Sequence, residues 1–187
     1  MKRNEIFGYC DFDIFYAWAA SAYSTGVFVE VGVFLGRSLY QLAYHTKDKD
    51  IKVYGVDYWP KGKTIKFKKK ENFPKDLLTW DQVYDKAVDN LKEFDHVTLI
   101  RKDSSEASKM FEDGSVEFIF LDGSHTYEGV KKDLKSWFPK LKENGVIAGH
   151  DYKNGHPGVE QAVNEFFGNK AKISAYNSVW RFTNESN

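Results

Sequence analysis

Five short apolar runs, each followed by a stretch with helical spacing, constrain this chain more than any other feature. They are Val27-Phe28-Val29-Glu30-Val31-Gly32-Val33, Lys52-Val53-Tyr54-Gly55-Val56-Asp57, His96-Val97-Thr98-Leu99-Ile100, Val116-Glu117-Phe118-Ile119-Phe120-Leu121 and Gly145-Val146-Ile147-Ala148-Gly149. Helical spacing follows at residues 38–45, 80–93, 105–111, 127–138 and 157–167. Near-continuous β-branched and aromatic runs suit strands buried on both faces. Right-handed crossovers then place helices on both sides, so the pattern predicts an α/β fold with a doubly wound, mainly parallel sheet. Segments 172–175 and 179–182, separated by Tyr176-Asn177-Ser178, add an antiparallel hairpin at the C-terminus and bring the expected count to seven strands. Residues 1–25 read as helical packing against the sheet, and residues 60–78, with the Lys-rich run 61–70, as a loop insertion.

A length of 187 residues suits one domain spanning 1–187. Lys plus Arg and Asp plus Glu both number 27, so no net field draws the chain to nucleic acid or an anionic membrane, and small-molecule partners are expected. The single cysteine, Cys10, allows neither an internal disulfide nor a cysteine zinc cluster, which suits a reducing cytoplasm. No apolar run reaches the roughly 18–20 residues that span a bilayer. The oligomeric state is left open, a homodimer being compatible.

Ligands bind doubly wound sheets beyond the carboxyl ends of the strands, and the polar residues collect there. Glu30, Gly32, Gly36 and Ser38 lie where the first strand turns into a helix, offering close backbone approach and free helix N–H groups, or simply a glycine-rich turn. Asp57 ends the next strand, placed to accept hydrogen bonds from the hydroxyls of a nucleoside ribose or to cap the loop that follows. Trp59 is an aromatic that can pack on a base or in the core. Asp103 and Ser104 follow the third strand, either at an adenine edge or as a helix cap. Asp122-Gly123-Ser124-His125 follows the fourth and His150-Asp151 the fifth. His125 offers a general base, Asp122 a ligand for cofactor or metal, and His150 and Asp151 further ligands for a divalent ion, the alternative being a metal-free hydrogen-bonded cluster. The Lys-rich run reads as a lid over an anionic group or as a solvated loop.

Across residues 27–167 the sequence resembles the class I S-adenosylmethionine-dependent methyltransferases, in particular the small-molecule O-methyltransferases of the macrocin-type, aminocoumarin-sugar and cephalosporin-hydroxylase-like group. The resemblance rests on Phe28 through Gly32 to Ser38, Tyr54-Gly55-Val56-Asp57, Leu121 through Tyr127, and Gly145 through Tyr152 with Pro157-Gly158-Val159. It implies a Rossmann-like methyltransferase fold with S-adenosylmethionine as cofactor. Glu30, Gly32 and Gly36 would then surround the methionine portion, Asp57 would bind ribose, and Asp103 with Ser104 would reach adenine. It also implies magnesium or another divalent ion at Asp122, His150 and Asp151, although histidine stands where metal-dependent relatives carry an acidic residue.

The expected reaction is in-line transfer of a methyl group to an acceptor hydroxyl, with His125 or His150 as base and Asp122 at the active centre. Two other readings stand beside it. A strand, glycine turn, helix and later aspartate also suit a nicotinamide-dependent oxidoreductase, though the third glycine of G-x-G-x-x-G is missing. A non-catalytic nucleoside-binding protein would use the same pocket.

Overall fold

The computed structural model describes residues 5–65, 79–173 and 178–185. Helix α1 (Asp13–Ala22) precedes β1 (Thr25–Val31), and strands and helices then alternate: α2 (Arg37–Thr46), β2 (Asp50–Asp57), α3 (Trp80–Leu91), β3 (Val97–Arg101), α4 (Ser104–Ser108), β4 (Val116–Leu121), α5 (Tyr127–Trp137), β5 (Leu141–Gly149), α6 (Pro157–Phe167), β6 (Lys172–Ile173) and β7 (Trp180–Thr183). In space the strands run β3-β2-β1-β4-β5-β7-β6. Strands β1 to β5 are parallel, and β7 is antiparallel to both β5 and β6. Six of the strands are substantial, while β6 is a two-residue piece at the edge.

Period-2 alternation sorts the strand side chains into two layers. Phe28, Phe118 and Phe120 face the side covered by α1, α2 and α3, where they meet Phe12, Tyr16 and Leu39. Val29, Val31, Ile119 and Leu121 face the opposite side, against Leu134, Trp137 and Val163 of α5 and α6. Every residue of β4 is buried, as a central parallel strand requires. Its one charged member, Glu117, accepts the Val27 N–H at 2.7 Å and the Lys142 ammonium at 2.7 Å, so the burial leaves no lone charge.

Helix starts obey local chemistry. Thr79 and Gln82 form a capping box at α3, Thr126 accepts the Gly129 N–H at α5, and Pro157 opens α6. The chain enters the sheet at β1, builds outward through β2 to β3, then returns to place β4 on the other flank of β1. The order therefore reverses between β1 and β4, and the crevice beyond their carboxyl ends is the binding place such sheets provide.

At the N-terminus the helix is shorter than the 1–25 expectation. It covers Asp13–Ala22, and residues 5–12 run irregularly over the sheet's carboxyl edge. Most of the Lys-rich insertion, residues 66–78, lies outside the described residues, as do residues 174–177 of the expected reversal. Among the described residues no helix is long and apolar enough to cross a membrane.

Candidate active site

The crevice is built on a backbone-to-backbone contact. Gly32 donates its N–H to the Val56 carbonyl at 2.8 Å, and Asp122 donates to the Val31 carbonyl at 2.8 Å. Gly32 has φ +99°, and a Cβ there would overlap the main chain of Asp122 and Gly123. Glycine is thus needed both for its conformation and for its missing side chain. Asp57, at the end of β2, accepts the Phe34 N–H at 2.8 Å and the Tyr58 N–H at 2.6 Å, which locks the turn after β1 to the neighbouring strand. Burial pushes its carboxyl above the usual range, and those backbone N–H groups pull it back. Each carboxylate oxygen has two lone pairs, so acceptor capacity is left for a ligand.

On one side of this contact lies a cavity of about 670 Å³, lined by Gly32, Asp57, Tyr58, Asp103, Ser104 and Asp122 among others. Asp103 caps α4 by accepting the Ser105 N–H at 3.0 Å and pairs with Lys132 at 3.0 Å, so the cap and the cavity wall are the same residue. Ser105 and Lys132 hold its carboxyl below the usual range. Ser104 accepts the Trp137 indole N–H at 2.9 Å. Behind it, burial pushes the Asp133 carboxyl up to about 6.

On the other side a cavity of about 650 Å³ is edged by Asp122, His125, His150, Asp151 and His156, with Tyr9, Cys10 and Asp11 arriving from the N-terminal segment. Both cavities share Tyr9, Gly32, Phe34, Asp122 and His125. Asp151 is the hub: its Oδ2 lies 2.6 Å from His125 Nε2, and its Oδ1 lies 3.3 Å from His150 Nδ1 and 4.0 Å from His156 Nε2. Asn154 Nδ2 donates to the same Oδ1 at 3.2 Å. Asp151 is buried and adopts φ +63°, a left-handed conformation uncommon outside glycine and concentrated at functional sites. Burial, and then the negative charges of Asp151, Glu30 and Asp11, push the Asp122 carboxyl well above its ordinary value. Ligand atoms of Asp122, His150 and Asp151 lie within 4.8 Å of one another, and so do those of His125, Asp151 and His156.

The structure therefore brings Gly32, Asp57, Asp103, Ser104, Asp122, His125, His150 and Asp151 to one crevice. Three expectations need correction. Trp59 is fully buried, donates its indole N–H to the Phe34 carbonyl at 2.9 Å and packs edge-on against Tyr84, so it belongs to the core; Tyr58, 62% exposed, is the aromatic on the cavity. Gly36 touches neither cavity; it caps α2 in a left-handed conformation beside Leu91. Glu30 lies beneath the crevice, its carboxylate accepting from Tyr16 Oη at 2.6 Å and from Ser38 Oγ at 2.7 Å. Ser38 edges the second cavity while its hydroxyl is committed to Glu30. The sequence pattern did not nominate His156 or the N-terminal residues. Pro157, which marks His156 as the entry to a helix, was the available signal.

Burial of Glu30 has a measurable consequence. Its pKa rises from 4.5 to about 7, so the folded state keeps a proton that the unfolded state releases. The associated stability is present in full below the unfolded value and is lost as pH rises through 7. Between pH 5 and 8 the wild type should lose on the order of 3 kcal/mol relative to Glu30→Gln. Melting curves across that range check this, and parallel pH profiles would contradict it.

The strand order, the reversal between β1 and β4 and the paired cavities at their ends define a Rossmann-like α/β protein. The chain belongs to the methyltransferase domain family, whose model matches residues 29–152. That membership gives the nicotinamide oxidoreductase reading no support. An uncharacterized protein, y4gI of Sinorhizobium fredii, is 43% identical over 53 residues, which is 28% of this chain and 6% of that protein. Among solved structures, the O-methyltransferase NovP superposes with a TM-score of 0.67 at 14% identity, covering 93% of this chain and 79% of its own. CalS11, a TDP-rhamnose 3'-O-methyltransferase of calicheamicin biosynthesis, gives 0.64 at 15% identity, covering 91% and 76%. An S-adenosylmethionine-dependent O-methyltransferase from Thermotoga maritima gives 0.64 at 14% identity, covering 97% and 67%. These likenesses are of fold.

Proposed function

We propose that this chain is an S-adenosylmethionine-dependent methyltransferase acting on a hydroxyl group of a small-molecule acceptor. The observation that carries the reading is the pair of cavities meeting at Gly32, Phe34, Asp122 and His125. The first falls within the roughly 300–1,000 Å³ usual for cofactor pockets. Bound S-adenosylmethionine would supply an electrophilic methyl group on a positively charged sulfur. Asp57 is suited to the ribose hydroxyls, Asp103 and Ser104 to the adenine edge, and the side-chain-free turn at Gly32 with Asp122 to the methionine end. Family membership supports the cofactor, and the names of the similar structures support oxygen as acceptor.

The second cavity suits an acceptor because its edge can take a proton. His125, oriented by Asp151 at 2.6 Å and open to the cavity, is the imidazole best placed for a hydroxyl, with the more buried His150, its Nε2 3.2 Å from Asp11 Oδ1, beside it. Most of the acceleration would come from holding the hydroxyl in line and away from water, which the Tyr9 to Asp11 segment helps to do. A divalent ion at Asp151, with Asp122 and His150 as neighbours, is the metal-assisted form of the same reading. Two carboxylates and one imidazole with ligand atoms within 4.8 Å of one another fit such an ion, which would lower the pKa of a bound hydroxyl.

Calorimetry with S-adenosylhomocysteine and with NAD tests the cofactor, and methyl transfer to a panel of hydroxylated acceptors, with and without chelator, tests the reaction. Binding of NAD alone would overturn the proposal; cofactor binding without turnover on any acceptor would favour a binding protein. Asp57→Ala should weaken S-adenosylhomocysteine binding at least about tenfold, from roughly 1.5–3 kcal/mol for a charged hydrogen-bond partner. Unchanged affinity would remove Asp57 from the ribose role.

A further inference from the structure

Two groups of ligands converge on Asp151, and they differ in access. His150 is only 10% exposed, lies 4.9 Å from the Phe12 ring and has its Nε2 3.2 Å from Asp11 Oδ1. His125 and His156, by contrast, are 43% and 42% exposed and open onto the cavity. Their rings stand side by side, centroids 4.5 Å apart and tilted by 35°. His125 immediately precedes the Thr126 cap of α5, and His156 stands just before α6 and Pro157 without capping it, so both imidazoles rise from the starts of two helices.

We propose that His125, Asp151 and His156 form a site for one divalent transition-metal ion at the edge of the second cavity. Bonds of about 2.0–2.2 Å from an ion to nitrogen and oxygen ligands put those ligands about 3–3.5 Å apart. His125 Nε2 lies 2.6 Å from Asp151 Oδ2 and His156 Nε2 4.0 Å from Oδ1 of the same carboxylate, and one ligand atom from each of the three residues lies within 4.8 Å of the others. Side-chain displacements of roughly 1–2 Å therefore bring the three to ligand spacing. Two imidazoles and one carboxylate favour zinc, iron, cobalt or manganese over magnesium, which prefers oxygen. Three protein ligands leave positions open for an outside oxygen, as catalytic rather than structural sites do. Asn154, which donates to Asp151 Oδ1, and the left-handed Asp151 backbone set the orientation of the shared carboxylate. This ion would use neither Asp122 nor His150, and it would take the place of one held by them, since both sets share the Asp151 carboxylate. Binding of the ion stands without the methyl-transfer reading; its task of holding an acceptor oxygen rests on that reading.

Cobalt(II) added to the tag-free protein tests the site, since visible absorption reports imidazole-bound cobalt of low coordination number. One band saturating at one ion per chain is expected. His125→Ala and His156→Ala should weaken cobalt binding at least about tenfold, and His150→Ala and Asp122→Asn less than about threefold. Circular dichroism identifies any variant that fails to fold, and His156→Gln, a milder change at an exposed position, should reproduce the loss. No band in the wild type, or a band lost in His150→Ala and kept in His156→Ala, overturns the proposal. Calorimetry with S-adenosylhomocysteine on the same samples keeps the two readings apart: cobalt bound without cofactor binding sinks the methyl-transfer reading alone, and cofactor bound without cobalt sinks the metal site alone.

Discussion

Gly32→Ala is expected to be severely destabilising, costing on the order of 4 kcal/mol or more. Two penalties add at that position. An L-residue at φ +99° is strained, and its Cβ would meet the main chain of Asp122 and Gly123, which cannot step aside as a flexible side chain can. Relief requires parting β1 from β4, whose parallel pairing runs from Phe28 with Phe118 to Val31 with Leu121. For a domain of this size about 1 kcal/mol moves the melting temperature by roughly 2–4 °C, so a fall of about 10 °C or failure to fold is expected. Gly114→Ala is the control. It has φ +68° with nothing within 4 Å of a new Cβ, and should cost only about 1 kcal/mol from backbone strain. Similar melting temperatures for the two variants would show that the β1–β4 contact tolerates far more movement than its geometry implies.

Asp151→Asn should act on turnover and spare stability. Asparagine tolerates the left-handed backbone at this position, so the change removes the charge with little strain. His125 then loses the carboxylate 2.6 Å from its Nε2, and three imidazoles lose their common partner. Turnover on any acceptor the wild type accepts should fall by about 10²-fold or more, the scale of general acid–base contributions. Affinity for S-adenosylhomocysteine should stay within about threefold, because Asp151 edges only the second cavity. Since the Asp151 charge opposes ionisation of Asp122, removing it should leave the neutral-pH melting temperature unchanged or higher. Full activity would move the chemistry away from this cluster, and loss of cofactor affinity would place Asp151 in the wrong cavity.

Much of the site was legible because strand ends announce themselves. Asp57, Asp122 and Asp151 each follow an apolar run at or within two residues of its end, and parallel strands deliver those ends to one edge. Glu30 and Trp59 misled for one reason: polarity or aromaticity beside a motif does not say which face a side chain takes. Glu30 lies two residues before Gly32, yet turns inward to Tyr16 and Ser38. Trp59 follows Asp57 by two residues, yet folds under the Phe34 carbonyl while Tyr58 stays out. His156 could not be paired with His125 in advance, since 31 positions and two helix starts separate them in the chain.

The amino-acid order by itself determined the alternation of strands and helices, the parallel sheet with its closing antiparallel strands, and the edge at which polar residues collect, because those follow from local spacing and from chirality. Only the tertiary structure decided which polar residues are buried partners and which face a cavity, and which of five histidines stand around Asp151. Those outcomes depend on contacts between distant segments, where a rotation of one side chain separates a core hydrogen bond from a ligand-facing group.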